Sequence, residues 1–124
     1  MSKNHNPQVS IIIPCYRQAE YLEAALLSVA AQSYPDWEAI VVDDGSPDHT
    51  SRVAEAFFSR FPDRRWKLVS QENQGLAEAR NSGIRAAEGE FILLLDADDL
   101  LHPLYLERAV PLLQDNPRLG YVYV

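Results

Sequence analysis

Apolar runs too short to be helices recur along this 124-residue chain, and stretches with helical spacing lie between them. Residues 9–13 form a β-branched run stopped by Pro14, residues 37–42 run straight into Asp43-Asp44-Gly45-Ser46, and residues 91–95 are apolar without interruption. Runs of this kind read as strands buried in a sheet. A shorter strand is expected over 66–70 and a fifth over 119–124. A helix is expected over 19–32, where Leu22, Ala25, Leu26 and Val29 fall on one face. A second starts at Ser46-Pro47-Asp48, turns Val53, Phe57 and Phe58 to the core, and stops at Phe61-Pro62-Asp63. A third is expected over 75–87, burying Leu76, Ala79, Gly83, Ile84 and Ala87. A fourth starts at His102-Pro103, with Leu104, Leu106 and Leu113 apolar and a kink at Pro111. Strand alternating with helix predicts an α/β fold, a three-layer sandwich around a mainly parallel sheet. Residues 1–8 are polar and are expected to form a disordered tail. No repeat, low-complexity tract or linker divides 9–124.

A parallel sheet gathers the C-terminal ends of its strands on one side, and ligands bind in the crevice there. Two acidic groups follow strands in this chain: Asp43-Asp44 after the second and Asp96-Ala97-Asp98-Asp99 after the fourth. A single Asp in such a place is ordinary turn chemistry. Two groups on one sheet edge repel each other unless something offsets them. A divalent cation does so. Asp96 and Asp98 fall on the same side of an extended segment, because side chains alternate with period two. Their hard oxygen ligands suit Mg²⁺ or Mn²⁺.

Composition removes several alternatives. Hydrophobic residues make up 47% and charged residues 23%, which excludes wholesale disorder. A net charge of −7 argues against a nucleic-acid groove or an anionic membrane surface as the main partner. No Gly-x-Gly-x-x-Gly follows the first strand and no Walker lysine loop occurs, which disfavours a dinucleotide fold, a P-loop nucleotidase and a nucleotidyltransferase. A phospho-receiver domain would carry its acidic pair after the first strand rather than the second. The single cysteine, Cys15, forms neither an internal disulfide nor a Cys-based zinc site. The polar start lacks a signal-peptide core, and no apolar run nears the roughly 18 residues of a membrane span. The expected location is cytoplasmic, peripheral at most to the inner face of the membrane.

Taken in order, VSIIIPCY, then Ser28 and Gln32, then IVVDDGSPDHT, then ENQGLAEARNSGIRAAEGEFILLLDADD are similar to the nucleotide-binding half of family-two inverting glycosyltransferases with the GT-A fold. The resemblance runs from Val9 to about Leu113. It implies a Rossmann-like half that binds a nucleotide-diphosphate sugar with Mn²⁺ or Mg²⁺. The sugar passes, with inversion, to the hydroxyl of an acceptor sugar, lipid or protein. UDP is the default nucleotide, with dTDP and GDP as alternatives. Carried onto these positions, Asp44 resembles the carboxylate that bonds the base, and Asp43 a residue that holds its loop. Pro14 and Tyr16 line the base pocket, Tyr16 offering a stacking face. Asp96 lies by the ribose or the metal, Asp98 resembles the direct metal ligand, and Arg80 lies near the donor phosphates. Asp99 is a neighbour without an assigned role. Arg17 departs from the family, which often has Asn after the Tyr. A plainer reading pairs Arg80 with Glu72 or Glu78.

His102 is read as part of a helix start, Trp37 and Trp66 as core, and Cys15 as a small strand-end residue with no activating base. His5 and His49 are read as solvated. In the family the general base belongs to a later, acceptor-binding half. The chain is therefore expected to be a donor-binding piece truncated at its C-terminus, inactive in transfer alone, with an exposed edge that favours self-association. A non-catalytic nucleotide-sugar-binding module would share every motif.

Overall fold

A computed structural model describes residues 5–115 and 121–123. Strands and helices alternate throughout: β1 (Val9–Cys15), α1 (Ala19–Ala30), β2 (Trp37–Asp44), α2 (Thr50–Arg60), β3 (Arg65–Gln71), α3 (Leu76–Ala86), β4 (Phe91–Leu94), α4 (Tyr105–Asp115) and β5 (Tyr121–Tyr123). The strands form one sheet in the order β3-β2-β1-β4-β5, with every neighbouring pair parallel. This is the α/β sandwich with a parallel sheet that the alternation predicts, and it agrees with the Rossmann-like half that the resemblance implies.

Period two sorts the strand residues between the two faces. Ile11, Ile13, Ala39 and Val41 join Leu22, Leu26 and Val29 of α1, Ala54 and Phe57 of α2, and Leu106 and Val110 of α4 in the larger core. Ile12, Ile40, Val42 and Leu94 face the other way, onto Ala79 of α3. Ile11, Ile12, Ile13 and Ile40 are wholly buried, each worth about 1.5–3 kcal/mol relative to exposure. A one-residue slip of β1 would swap its two faces, so burial on this scale fixes the register. The Trp37 and Trp66 rings meet edge to face at 5.2 Å, and Phe58 stacks on Trp66, so both tryptophans belong to the core.

The second face is thin because α3 rides close to the sheet. A Cβ at Gly83 would overlap Ile12 Cγ2 and lie 3.2 Å from Val42 Cγ2. The helix meets the strands through Ala79 and Gly83, while Leu76 and Ile84, expected in the core, are 50% and 42% exposed.

Other differences are local. α2 begins at Thr50 rather than Ser46. The Asp48 carboxylate accepts from the Thr50 N–H (3.2 Å) and hydroxyl (2.6 Å) and from the Ala19 N–H (3.2 Å), so the preceding residues form a loop tied to α1. α4 begins at Tyr105, after a turn in which the Leu104 N–H donates to His102 Nδ1 at 3.1 Å. Of the tail expected over 1–8, residues 1–4 lie outside the described residues. Of the rest, Pro7 is buried, the Gln8 amide donates to Glu90 at 2.9 Å, and His5 Nε2 lies 3.2 Å from Asp36. Of the strand expected over 119–124, residues 119, 120 and 124 also lie outside the described residues.

A buried polar network closes the N-terminal end of the sheet. Glu38 accepts from the Ser10 hydroxyl (2.5 Å), the Glu88 N–H (2.6 Å) and the Lys67 ammonium (2.9 Å). Burial alone would raise the Glu38 carboxyl, but the Glu88 N–H, the Ser10 hydroxyl and Lys67 outweigh it and hold the group below its usual range.

Candidate functional site

The chain leaves β1 toward β2 and β3, then returns to place β4 on the other side of β1. That reversal opens a crevice above the C-terminal ends of β1 and β4, where open α/β sheets take their ligands. A cleft of about 360 Å³ occupies this position. Pro14 and Tyr16 reach it from the end of β1, Asp44 from the end of β2, and Asp96 and Asp98 from the segment after β4. Asp43 and Arg80 are not among its lining residues.

Asp44 is 2% exposed and fully engaged. Its Oδ1 accepts from the Gln71 amide (2.9 Å) and the Gln74 N–H (2.9 Å). Its Oδ2 accepts from the Gly75 N–H (3.1 Å) and, at 3.3 Å, from the Asn73 amide. A carboxylate offers about four acceptor positions, so Asp44 anchors the whole segment between β3 and α3. The chain can leave Asp44 only through a glycine. Gly45 has φ +74°, and a Cβ there would sit 2.5 Å from the Asn73 backbone nitrogen. Asp43 bonds within its own loop, accepting from the Ser46 N–H (2.9 Å) and the Ser51 hydroxyl (2.6 Å).

Across the cleft, carboxylate oxygens of Asp96, Asp98 and Asp99 lie within 4.8 Å of one another. Asp99, left without a role by the sequence, joins the other two here, since its position is set by a turn and not by the strand period. In that turn the Asp99 N–H donates to the Asp96 carbonyl (3.0 Å). Arg80 Nη2 lies 3.3 Å from Asp96 Oδ1, so Asp96 is a carboxylate partner that the sequence did not offer it; Glu78 pairs with Arg85 at 2.8 Å. The three acidic oxygens are hard donors, two of the residues are exposed, and Arg80 offsets one charge. That donor set fits a divalent cation.

Sequence reasoning missed Asn73, Gly75 and Leu76 as cleft residues. The signal available was the polar Glu72-Asn73-Gln74 run ahead of a glycine, which reads as a turn. Cys15 also touches the cleft, but its thiol is 1% exposed and pushed up to about 11 by burial, so it is no nucleophile at neutral pH. Among the described residues no helix is long and apolar enough to cross a membrane.

Comparison with known proteins places this geometry. S. aureus TarS, solved in complex with UDP, superposes with a TM-score of 0.80 at 31% identity, over 89% of this chain and 33% of that one. A mannosyltransferase from Pyrobaculum calidifontis, solved with GDP-Man and Mn²⁺, gives 0.77 at 33% identity, over 88% of this chain and 32% of that one. The glycosyltransferase AglE of Haloferax volcanii is 41% identical over 106 residues, which are 84% of this chain and 34% of AglE. Against three further curated relatives from Bacillus subtilis and Nostoc, the chain spans 29%, 36% and 31% of their lengths. Residues 10–124 match the sequence profile of glycosyl transferase family 2, and the chain belongs to that family.

Proposed function

We propose that residues 9–124 form the donor-binding part of a metal-dependent, inverting glycosyltransferase, holding a nucleotide-diphosphate sugar in the cleft. The observation that carries this reading is that Asp44 and the carboxylates after β4 line one cavity. Relatives solved with UDP and with GDP-Man and Mn²⁺ support it.

In this reading the base lies over Tyr16 and Pro14 and donates an N–H to Asp44. All four acceptor positions of Asp44 are taken, so a donor must give way. The Asn73 amide yields, because its 3.3 Å bond is the longest of the four and it lines the cleft. Asp43 holds the loop that presents Asp44. Asp96, Asp98 and Asp99 would hold Mn²⁺ or Mg²⁺. When bound, that cation offsets the negative charge that grows on the nucleoside diphosphate as the glycosidic bond breaks. Arg80, held by Asp96, adds a fixed positive charge beside the phosphates. An acceptor hydroxyl needs a carboxylate to take its proton. The cleft's carboxylates, Asp44, Asp96 and Asp98, are committed to base and metal, so this chain alone binds donor without transferring sugar. Self-association through the β5 edge belongs to the same proposal, and sedimentation velocity decides it.

Calorimetric titration with UDP, GDP and dTDP, with and without Mn²⁺, tests the reading on the unaltered chain and on Asp98→Ala. Binding that requires Mn²⁺ and disappears in the variant is expected. Nucleotide binding that is indifferent to both changes would overturn it.

A further inference from the structure

Arg17 is the only non-glycine residue with positive φ among the described residues, at +57°. This left-handed region suits glycine and asparagine and disfavours other side chains. A turn from β1 into α1 would therefore be made more cheaply by either of them. Strain of this kind persists where the surroundings enforce it and tends to mark functional positions. Here the enforcement is visible: the Arg17 N–H donates to the Ser46 hydroxyl oxygen at 3.2 Å, and that hydroxyl donates to the Cys15 carbonyl at 3.3 Å.

The strained backbone delivers the side chain to one place. The Arg17 guanidinium carbon lies over the Tyr16 ring, 5.3 Å from its centroid. Among the described residues Arg17 has no ion pair, so the ring is the partner that explains its position. Tyr16 lines the cleft and is 39% exposed, whereas Arg17 is not a lining residue. The guanidinium thus covers a face of the ring without itself lining the cleft. A half-exposed phenol without such cover loses side-chain freedom when something stacks on it. One already pinned by a planar cation presents its cleft face at a smaller entropic cost.

We propose that Arg17 is a positioning residue of the cleft: its guanidinium, carried by a left-handed backbone, pins the Tyr16 ring as a ready-made platform for a flat nucleobase. The proposal rests on the nucleotide reading above and adds to it the residue that prepares the stacking surface.

The test compares the unaltered chain with Arg17→Asn, Tyr16→Leu and the double variant, each titrated with UDP and with GDP in the presence of Mn²⁺. Arg17→Asn relieves the backbone and should raise Tm by about 2–4 °C. It should weaken nucleotide binding by about two- to fivefold, the worth of an exposed cation–π contact. In the Tyr16→Leu background the same change should leave affinity unaltered, since the ring it acts through is gone. Equal affinity of the unaltered chain and Arg17→Asn would overturn this inference alone. So would an equal loss in both backgrounds, which would make Arg17 a plain surface charge. Absence of binding by the unaltered chain to either nucleotide would overturn the donor reading, and this inference with it.

Discussion

Gly83→Ala measures how closely α3 rides on the sheet. In an open helix interior, alanine in place of glycine gains about 1 kcal/mol. At this position the new methyl overlaps Ile12 Cγ2 and crowds Val42 Cγ2 at 3.2 Å. Both partners are wholly buried on strands with neighbours on either side, so neither can swing out of the way. Overpacking a filled core costs about 1–3 kcal/mol, and overlap with branched side chains on a rigid sheet puts this case at the upper end. Subtracting the helix gain leaves a net loss of about 2 kcal/mol. For a chain of this size that lowers Tm by roughly 6–8 °C. Urea unfolding gives the value directly. Ile12→Ala supplies the control: alone it costs about 2–5 kcal/mol, but it vacates the space the new methyl needs. In that background Gly83→Ala should be neutral or stabilising, a coupling of about 2 kcal/mol or more between the two positions. A stabilising effect in the unaltered chain, or the same penalty in both backgrounds, would refute the close-packing argument.

Further outcomes follow from the other sites. Lys67→Met leaves Glu38 buried with two donors in place of three; because the Lys67 side chain is 34% exposed, the loss should be about 2 kcal/mol at pH 7 rather than the larger figure for a fully buried pair. The Glu38 carboxyl is held below its ordinary value of 4.5 in the fold, so its contribution is present above about that pH and is lost as pH falls through the lowered value. The Lys67→Met penalty, read from urea midpoints, should therefore shrink between pH 7 and pH 3.5, and an unchanged penalty would count against the network. Asp44→Asn keeps an acceptor for only one of the Gln74 and Gly75 N–H groups and turns a donor toward the other, so at least one of the two amides should exchange with deuterium about tenfold faster, on the order of a lost charged hydrogen bond; unchanged protection of both would show that Asp44 does not anchor the segment. Cys15, 1% exposed and pushed up to about 11, should resist iodoacetamide in the folded chain at pH 8 and react on unfolding in urea.

The parts of the fold that were legible in the sequence are those where size and periodicity agree. β1, β2 and β4 are buried on both faces and read as apolar runs, and α1 buries the four residues whose spacing marks it. α3 misleads for the opposite reason. Leu76 and Ile84 carry its apolar pattern, yet it lies on the sheet through Ala79 and Gly83, where smallness rather than hydrophobicity decides the fit. The start of α2 misleads because Asp48, not Ser46, bonds the first turn. At the site, Asp44, Asp96 and Asp98 were legible because they follow strands of a parallel sheet. Asp99 was not, because its place depends on a turn that breaks the strand period. The Arg80–Asp96 pair spans 16 residues and joins a helix to a loop, a relation that no local spacing encodes.

The helix that sits so low on the sheet also touches both walls of the crevice. At its head the Gly75 N–H holds Asp44 at 3.1 Å, and further along Arg80 holds Asp96 at 3.3 Å. Five residues at 1.5 Å each put about 7–8 Å of stiff backbone between those grips. α3 is thus a ruler laid across the opening, seated on side chains too small to cushion any flexing. Anything that met both walls at once would have to match a span that the protein itself holds fixed.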